Sequence, residues 1–159
     1  MQNIEIVCVG RADKTLYAPA CAEYEKRIAP FAKLVITELA ETRLLEDTPA
    51  MCRRVIEEES ERIKKHLEKK HSRVVAMCVE GKEPTSEDLA KLLRTAADSS
   101  QRLCFVIGGS LGLSQSLKDM ADDKISLSRM TLPHQLARLV LLEQLYRACT
   151  INNNIRYHK

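Results

Sequence analysis

Leu103-Cys104-Phe105-Val106-Ile107-Gly108-Gly109-Ser110-Leu111-Gly112 is a run of five apolar residues that ends on a glycine pair. An apolar stretch this short, closed by glycines, predicts a strand covered on both faces and a chain reversal at its exit. Three stretches repeat the pattern. Ile4–Val9 ends at Gly10, Val74–Val79 is followed by Gly81, and Ile125–Leu127 leads into Ser128–Pro133. Leu34, Ile36 and Leu39 suggest a further strand.

Helical spacing fills the intervals. Leu16, Ala20, Tyr24 and Ile28 recur over residues 16–29, and Pro30 closes that segment. Residues 41–48 are polar and read as a loop. Thr48-Pro49 reads as a cap and first-turn proline, opening a helix to about Lys70 with a narrow stripe of Cys52, Ile56, Ile63 and Leu67. Its early glutamates and late lysines suit the helix dipole and place Glu61 four residues before Lys65. Thr85 or Ser86 caps a helix through about Ala97, with Leu89, Leu92, Leu93 and Ala96 inward, and a short helix spans about Ser114–Met120. From about His134 to Cys149 the apolar residues cover most of a helix circumference, so that helix needs partners on two sides: the sheet and a second subunit. The sum is an α/β protein with a mostly parallel sheet, helices on both faces and one domain over residues 1–159.

The 159 residues carry 25 basic and 22 acidic side chains, a net charge of +3 that by itself does not select a nucleic-acid partner. Aromatics are 4% of the chain with no Trp, so broad base-stacking platforms are not evident. Six cysteines show no C-x-x-C spacing, and Cys8, Cys78, Cys104 and Cys149 lie in apolar runs, which predicts reduced packing residues and no metal. No stretch is long enough for a membrane span, and the chain opens directly into a strand-like run without a basic flank, which together predict a cytoplasmic protein.

Ligands of open α/β sheets bind beyond the carboxyl ends of the strands. The exits at Gly81, Gly108-Gly109 and 128–133 are the candidates, although an ordinary turn explains any one of them as well. G-G-x-x-G at 108–112 is not a dinucleotide fingerprint, and no phosphate loop with Lys-Ser or Lys-Thr is present.

Four ordered motifs carry the reading further. They are Val106–Gly112, then Ile125-Ser126-Leu127-Ser128-Arg129-Met130-Thr131-Leu132-Pro133-His134-Gln135, then Glu143-Gln144-Leu145-Tyr146-Arg147-Ala148, and the ending Tyr157-His158-Lys159. With Ile6–Gly10 and Val79–Lys82 they resemble, over the whole length, the ribosomal RNA large subunit methyltransferase H family, minimal SPOUT methyltransferases. The resemblance implies a SPOUT-type α/β knot, a deep C-terminal trefoil knot within about residues 74–159, although topology rules make threaded chains rare. It implies a homodimer that uses S-adenosylmethionine (S-adenosyl-L-methionine) to methylate N3 of a pseudouridine in 23S rRNA, on the assembled ribosome. A tRNA methyltransferase and a non-catalytic ribosome-binding module are the alternatives.

By that similarity, Met77, Gly108, Gly109 and the segment Leu127, Ser128, Arg129, Met130, Thr131 and Leu132 form the cofactor pocket. Met77 stands where the family usually has Leu, a change that conserves volume. Arg147, Tyr157 and His158 are the candidates for substrate chemistry, with the tail folding over a site, the partner's included. From the residues alone, Glu143 could equally be a structural partner of Arg147 four positions on, and His134 reads as a capping residue.

Overall fold

In the computed structural model, which describes residues 1–159, five strands form one sheet in the order β2-β1-β4-β3-β5, every pair parallel. The elements run β1 (Gln2–Val9), α1 (Ala18–Ile28), β2 (Ala32–Leu39), α2 (Pro49–Leu67), β3 (Ser72–Lys82), α3 (Ser86–Asp98), β4 (Arg102–Ile107), α4 (Gln115–Met120), β5 (Asp123–Ile125) and α5 (His134–Asn152).

Side chains alternate across a strand, and β4 at the centre shows what that does. Leu103, Phe105 and Ile107 join Ile4, Ile6 and Val75 in a core under α1, α3 and α5. Cys104 and Val106 join Val7, Val9 and Ala76 in a second core, closed by Ile63 and Leu67 of α2 and Leu117 of α4. The layers are therefore helix, sheet, helix, as the doubly apolar strands predict.

Local signals set most boundaries. Thr48 accepts the Met51 amide at 3.2 Å with Pro49 in the first turn. Thr85 and Asp88 form a reciprocal capping box at α3, which settles Thr85 over Ser86 as the cap. The inward face of α2 differs from the expected stripe: Val55, Glu59, Ser60, Ile63 and Leu67 are buried, while Cys52 and Ile56 are only partly covered. Two of those five are polar, so an apolar count could not find that face. Lys64, not Lys65, meets Glu61, at 2.9 Å.

The strand expected at Ile125–Leu127 lies two residues earlier. The Ser126 amide makes the last ladder bond, to the Lys82 carbonyl of β3 at 2.8 Å, and its hydroxyl then turns the chain by donating to the Ser128 carbonyl at 2.8 Å. β3 is correspondingly longer than the apolar run: Ile125 pairs with both Met77 and Lys82 across an irregularity.

One buried polar cluster braces the sheet. Glu5 of β1 accepts from Thr37 Oγ1 at 2.9 Å and Lys70 Nζ at 2.8 Å, and contacts His66 Nε2 at 2.7 Å. Burial raises the Glu5 carboxyl, but the hydrogen bonds from Lys70, His66 and Thr37 together outweigh it and hold the group below its usual range. No helix is long and apolar enough to cross a membrane.

Candidate active site

The carboxyl ends of β3, β4 and β5 open onto a cleft of about 810 Å3, a size usual for small-molecule sites. Three segments build most of it: 77–80 within β3, 107–113 from the end of β4, and 125–133 from the end of β5 to α5. Of the nine residues expected there, Met77, Gly108, Gly109, Leu127, Ser128, Met130, Thr131 and Leu132 line it. Arg129 does not. Its side chain is 91% exposed and its nearest carboxylate, Glu83, is 3.7 Å away.

The glycine pair answers to the protein's own packing, as the chain reversal expected at this exit would require. A Cβ on Gly108 would stand 2.7 Å from the Gly112 carbonyl carbon, across the tight reversal closed by the Gly112 amide on the Gly109 carbonyl. A Cβ on Gly109 would stand 2.7 Å from Glu59 Oε1 of α2. Gly108 is thus required by backbone packing, whereas Gly109 makes room for the Glu59 side chain. Glu59 is buried with its Oε2 accepting the Thr42 amide at 3.0 Å, and burial pushes its carboxyl above the usual range.

The 126–132 segment is held by few internal hydrogen bonds. Met130 donates its amide to Ser128 Oγ at 3.0 Å, whereas the amides of Leu127, Arg129, Thr131 and Leu132 find no acceptor within the chain. Of these, Leu127 and Leu132 are partly buried on the pocket wall, so their unpartnered amides are ready donors for the edge of a heteroaromatic ring. Met77, Ile107, Ile125, Leu127 and Leu132 supply apolar surface for its faces. The residues present therefore fit an adenosyl group.

Sequence reasoning missed several lining residues: Cys78, Glu80, Lys118, His134 and Ala137. Glu80 adjoins Gly81, an exit already singled out, and could have been found. Lys118 reaches the cleft only because α4 packs beside β3, where it pairs with Glu80. His134 opens α5, with its ring 3.8 Å from Glu41, and Pro133 occupies the cap position. Cys78 is half-buried, and burial raises its thiol pKa.

Arg147, Tyr157 and His158 come together, but away from this cleft. Ten positions of α5 separate Ala137, the last cleft residue on that helix, from Arg147, ~15 Å along the helix. Arg147 pairs with Glu143, as the four-residue spacing allowed, and lies over the Tyr157 ring with its guanidinium carbon 4.7 Å from the centroid. Tyr157 donates its hydroxyl to Glu143 at 3.1 Å and packs edge-on to Tyr146 at 4.8 Å. His158 Nε2 meets Glu87 of α3 at 2.8 Å, leaving Nδ1 buried without a partner. The tail is tied down rather than frayed. No cluster of three or more His, Cys, Asp or Glu side chains could hold a metal ion.

Comparisons with known proteins agree with this architecture. The family profile described as "Predicted SPOUT methyltransferase" matches residues 2–158. A Bacillus pumilus protein named ribosomal RNA large subunit methyltransferase H is 43% identical over 159 residues, covering 99% of both chains. A Lactobacillus gasseri protein of the same name is also 43% identical over 159 residues with the same coverage. Among solved structures, a "probable methylase family protein" of Haemophilus influenzae superposes with a TM-score of 0.57 at 13% identity, over 99% of this chain and 71% of that one; at that identity the likeness speaks for the fold alone. With its all-parallel sheet, three-segment cleft and near-complete match to these relatives, the chain belongs to the SPOUT methyltransferases, of α/β knot fold, and within them to the ribosomal RNA large subunit methyltransferase H family.

Proposed function

We propose that this protein transfers a methyl group from S-adenosylmethionine to N3 of a pseudouridine in 23S rRNA, acting as a homodimer on the assembled ribosome in the cytoplasm. The observation that carries the proposal is the cleft at 77–80, 107–113 and 125–133, whose lining contains eight of the nine residues expected to hold the cofactor. The whole chain serves as one methyltransferase domain, with the knotted cofactor-binding region at about 74–159.

When bound, the cofactor supplies an already activated methyl group, so the protein's task is placement and proton management. Met77, Leu127 and Leu132 hold the adenosyl faces, and free amides of the 127–132 loop hold its edge. N3 of the base must lose its proton. In the neutral ring of His158, donation from Nε2–H to Glu87 leaves a lone pair on Nδ1. That nitrogen, covered within the single subunit, is the proton acceptor in this reading once the ring turns it toward the base. Arg147, fixed by Glu143, supplies the cation that favours the anionic base, and Tyr157 shapes the base's binding place.

None of Arg147, Tyr157 and His158 lines the cleft of its own subunit, which gives the dimer its purpose: one subunit's three residues serve the cofactor held by the other. Leu136, Leu139 and Val140 of α5 remain only partly covered within one subunit, which suits a second copy packing there.

The test is incubation with tritiated cofactor and, separately, intact ribosomes, isolated subunits and tRNA. Label in 23S rRNA of intact ribosomes is the expected result. Label in tRNA would transfer the reading to another substrate, and none anywhere, with no cofactor binding, would leave a non-catalytic module.

A further inference from the structure

The cleft has one charged corner. Of its 22 lining residues only Glu80, Lys118 and His134 carry a charge or can gain one near neutral pH. Glu80 and Lys118 sit together, joining the exit of β3 to α4, while His134 stands on α5. Lys118 is mostly covered, with 17% of its side chain exposed, whereas Glu80 is about half exposed. Lys118 holds the Glu80 carboxyl below its usual range through their hydrogen bond, so both groups are charged.

An adenosyl cofactor divides in the same way. Its purine and ribose are uncharged, but its amino-acid arm ends in a carboxylate and an ammonium about one carbon apart. Moving that zwitterion into a largely apolar cleft is costly unless each charge meets an opposite one. A protein cation and anion already side by side are the complement, and the rest of the lining offers no other carboxylate and no other permanent cation.

We infer that the Glu80–Lys118 pair is the subsite for the amino-acid arm of the cofactor, Lys118 taking its carboxylate and Glu80 its ammonium. The inference rests on the cofactor reading above and deepens it. The more exposed Glu80 places the ammonium at the mouth of the cleft and the more covered Lys118 places the carboxylate inward of it. Anchoring the arm there, with the purine against the 127–132 loop, fixes both ends of the cofactor and hence the direction of the sulfonium between them.

Titration calorimetry on wild type, Lys118→Met and Glu80→Gln tests this with three ligands: S-adenosylhomocysteine, decarboxylated S-adenosylmethionine, which lacks only the carboxylate, and 5′-methylthioadenosine, which lacks the whole arm. Each lost charge-assisted contact should weaken binding about 10- to 100-fold. Lys118→Met should therefore weaken S-adenosylhomocysteine and spare both other ligands. Glu80→Gln should weaken S-adenosylhomocysteine and the decarboxylated cofactor, and spare methylthioadenosine. Equal losses for all three ligands would reduce the pair to a structural tie between α4 and β3, and no loss at all would equally overturn the subsite. Melting temperatures of the free variants separate a folding defect from a binding one. Wild-type protein that binds none of the three would overturn the cofactor reading and this inference with it. Wild type that binds all three, with unselective variants, overturns this inference alone.

Discussion

Oε1 of Glu59 occupies the place where a Cβ on Gly109 would go, 2.7 Å away. The wall of the cleft is thereby keyed to a buried carboxylate on α2, an element that contributes nothing else to the lining. The blocking atom belongs to a side chain, so the conflict should be separable. Gly109→Ala should weaken cofactor binding about tenfold by displacing the 107–113 loop. Glu59→Ala in the same chain should restore most of the affinity. A double-mutant cycle by calorimetry measures the coupling, and additive losses would show that Glu59 is not the obstacle.

Glu5 and Glu59 are both buried, yet their stabilities should depend on pH with opposite sign. Glu5 is held below its ordinary value of 4.5, so its contribution is present above that value and is lost as pH falls through the lowered one. Glu59 is raised above 4.5, so the folded state keeps its proton longer than the unfolded chain, and stability falls as pH rises from about 4.5 through the raised value. Glu5→Gln should cost ~2 kcal/mol near neutrality and flatten the acid limb. Glu59→Gln should remove the decline above pH 4.5. Urea unfolding across pH 3–7 reads both.

Thiol labelling reports on the cleft without turnover. Burial pushes Cys8 and Cys149 up to about 11 and Cys104 to about 12, so these should resist iodoacetamide until the protein unfolds. Cys52 and Cys78 are only partly covered and should react slowly. Cys78 lines the cleft and Cys52 does not. Bound S-adenosylhomocysteine should protect Cys78 alone, as peptide mass spectrometry would show.

His158→Ala should lower single-turnover methyl transfer to ribosomes about 100-fold or more while changing cofactor affinity by less than about twofold, since His158 contacts Glu87 and not the cleft. An unchanged rate would remove His158 as the proton acceptor.

Subunit mixing tests whether cleft and tail act in trans. Chains carrying Gly108→Val and chains carrying His158→Ala should each be inactive as homodimers. Mixed dimers should regain activity at the one site that combines an intact cleft with an intact tail. Persistent inactivity in verified mixed dimers would overturn sharing between subunits.

The parallel sheet was legible because β1, β3 and β4 are apolar on both faces, and Thr48-Pro49 and Thr85 marked helix starts through local chemistry alone. Eight of the nine residues that the resemblance named for a pocket line the cleft. The placement of β5 was not legible, because its end is set by where Ile125 and Ser126 meet Lys82 across the irregularity in β3, a pairing set by tertiary structure. For the same reason Lys118 and Glu59 were invisible: each reaches its place only once α4 or α2 packs against the sheet. The packing of the glycine pair against Gly112 and Glu59 was equally invisible, since both neighbours are set by the folded chain.

The cleft borrows from three segments, and its last wall is residues 125–133, which follow a strand of only three residues. A growing chain therefore has no complete pocket until that wall has been made and has docked outside β3. Ligand that recognises only the finished pocket stabilises this late step selectively, by about 2.7 kcal/mol at a hundred times its Kd. Occupancy would then act as a clasp on the final stage of folding, suppressing excursions in which the 125–133 segment lifts away while the central strands stay intact.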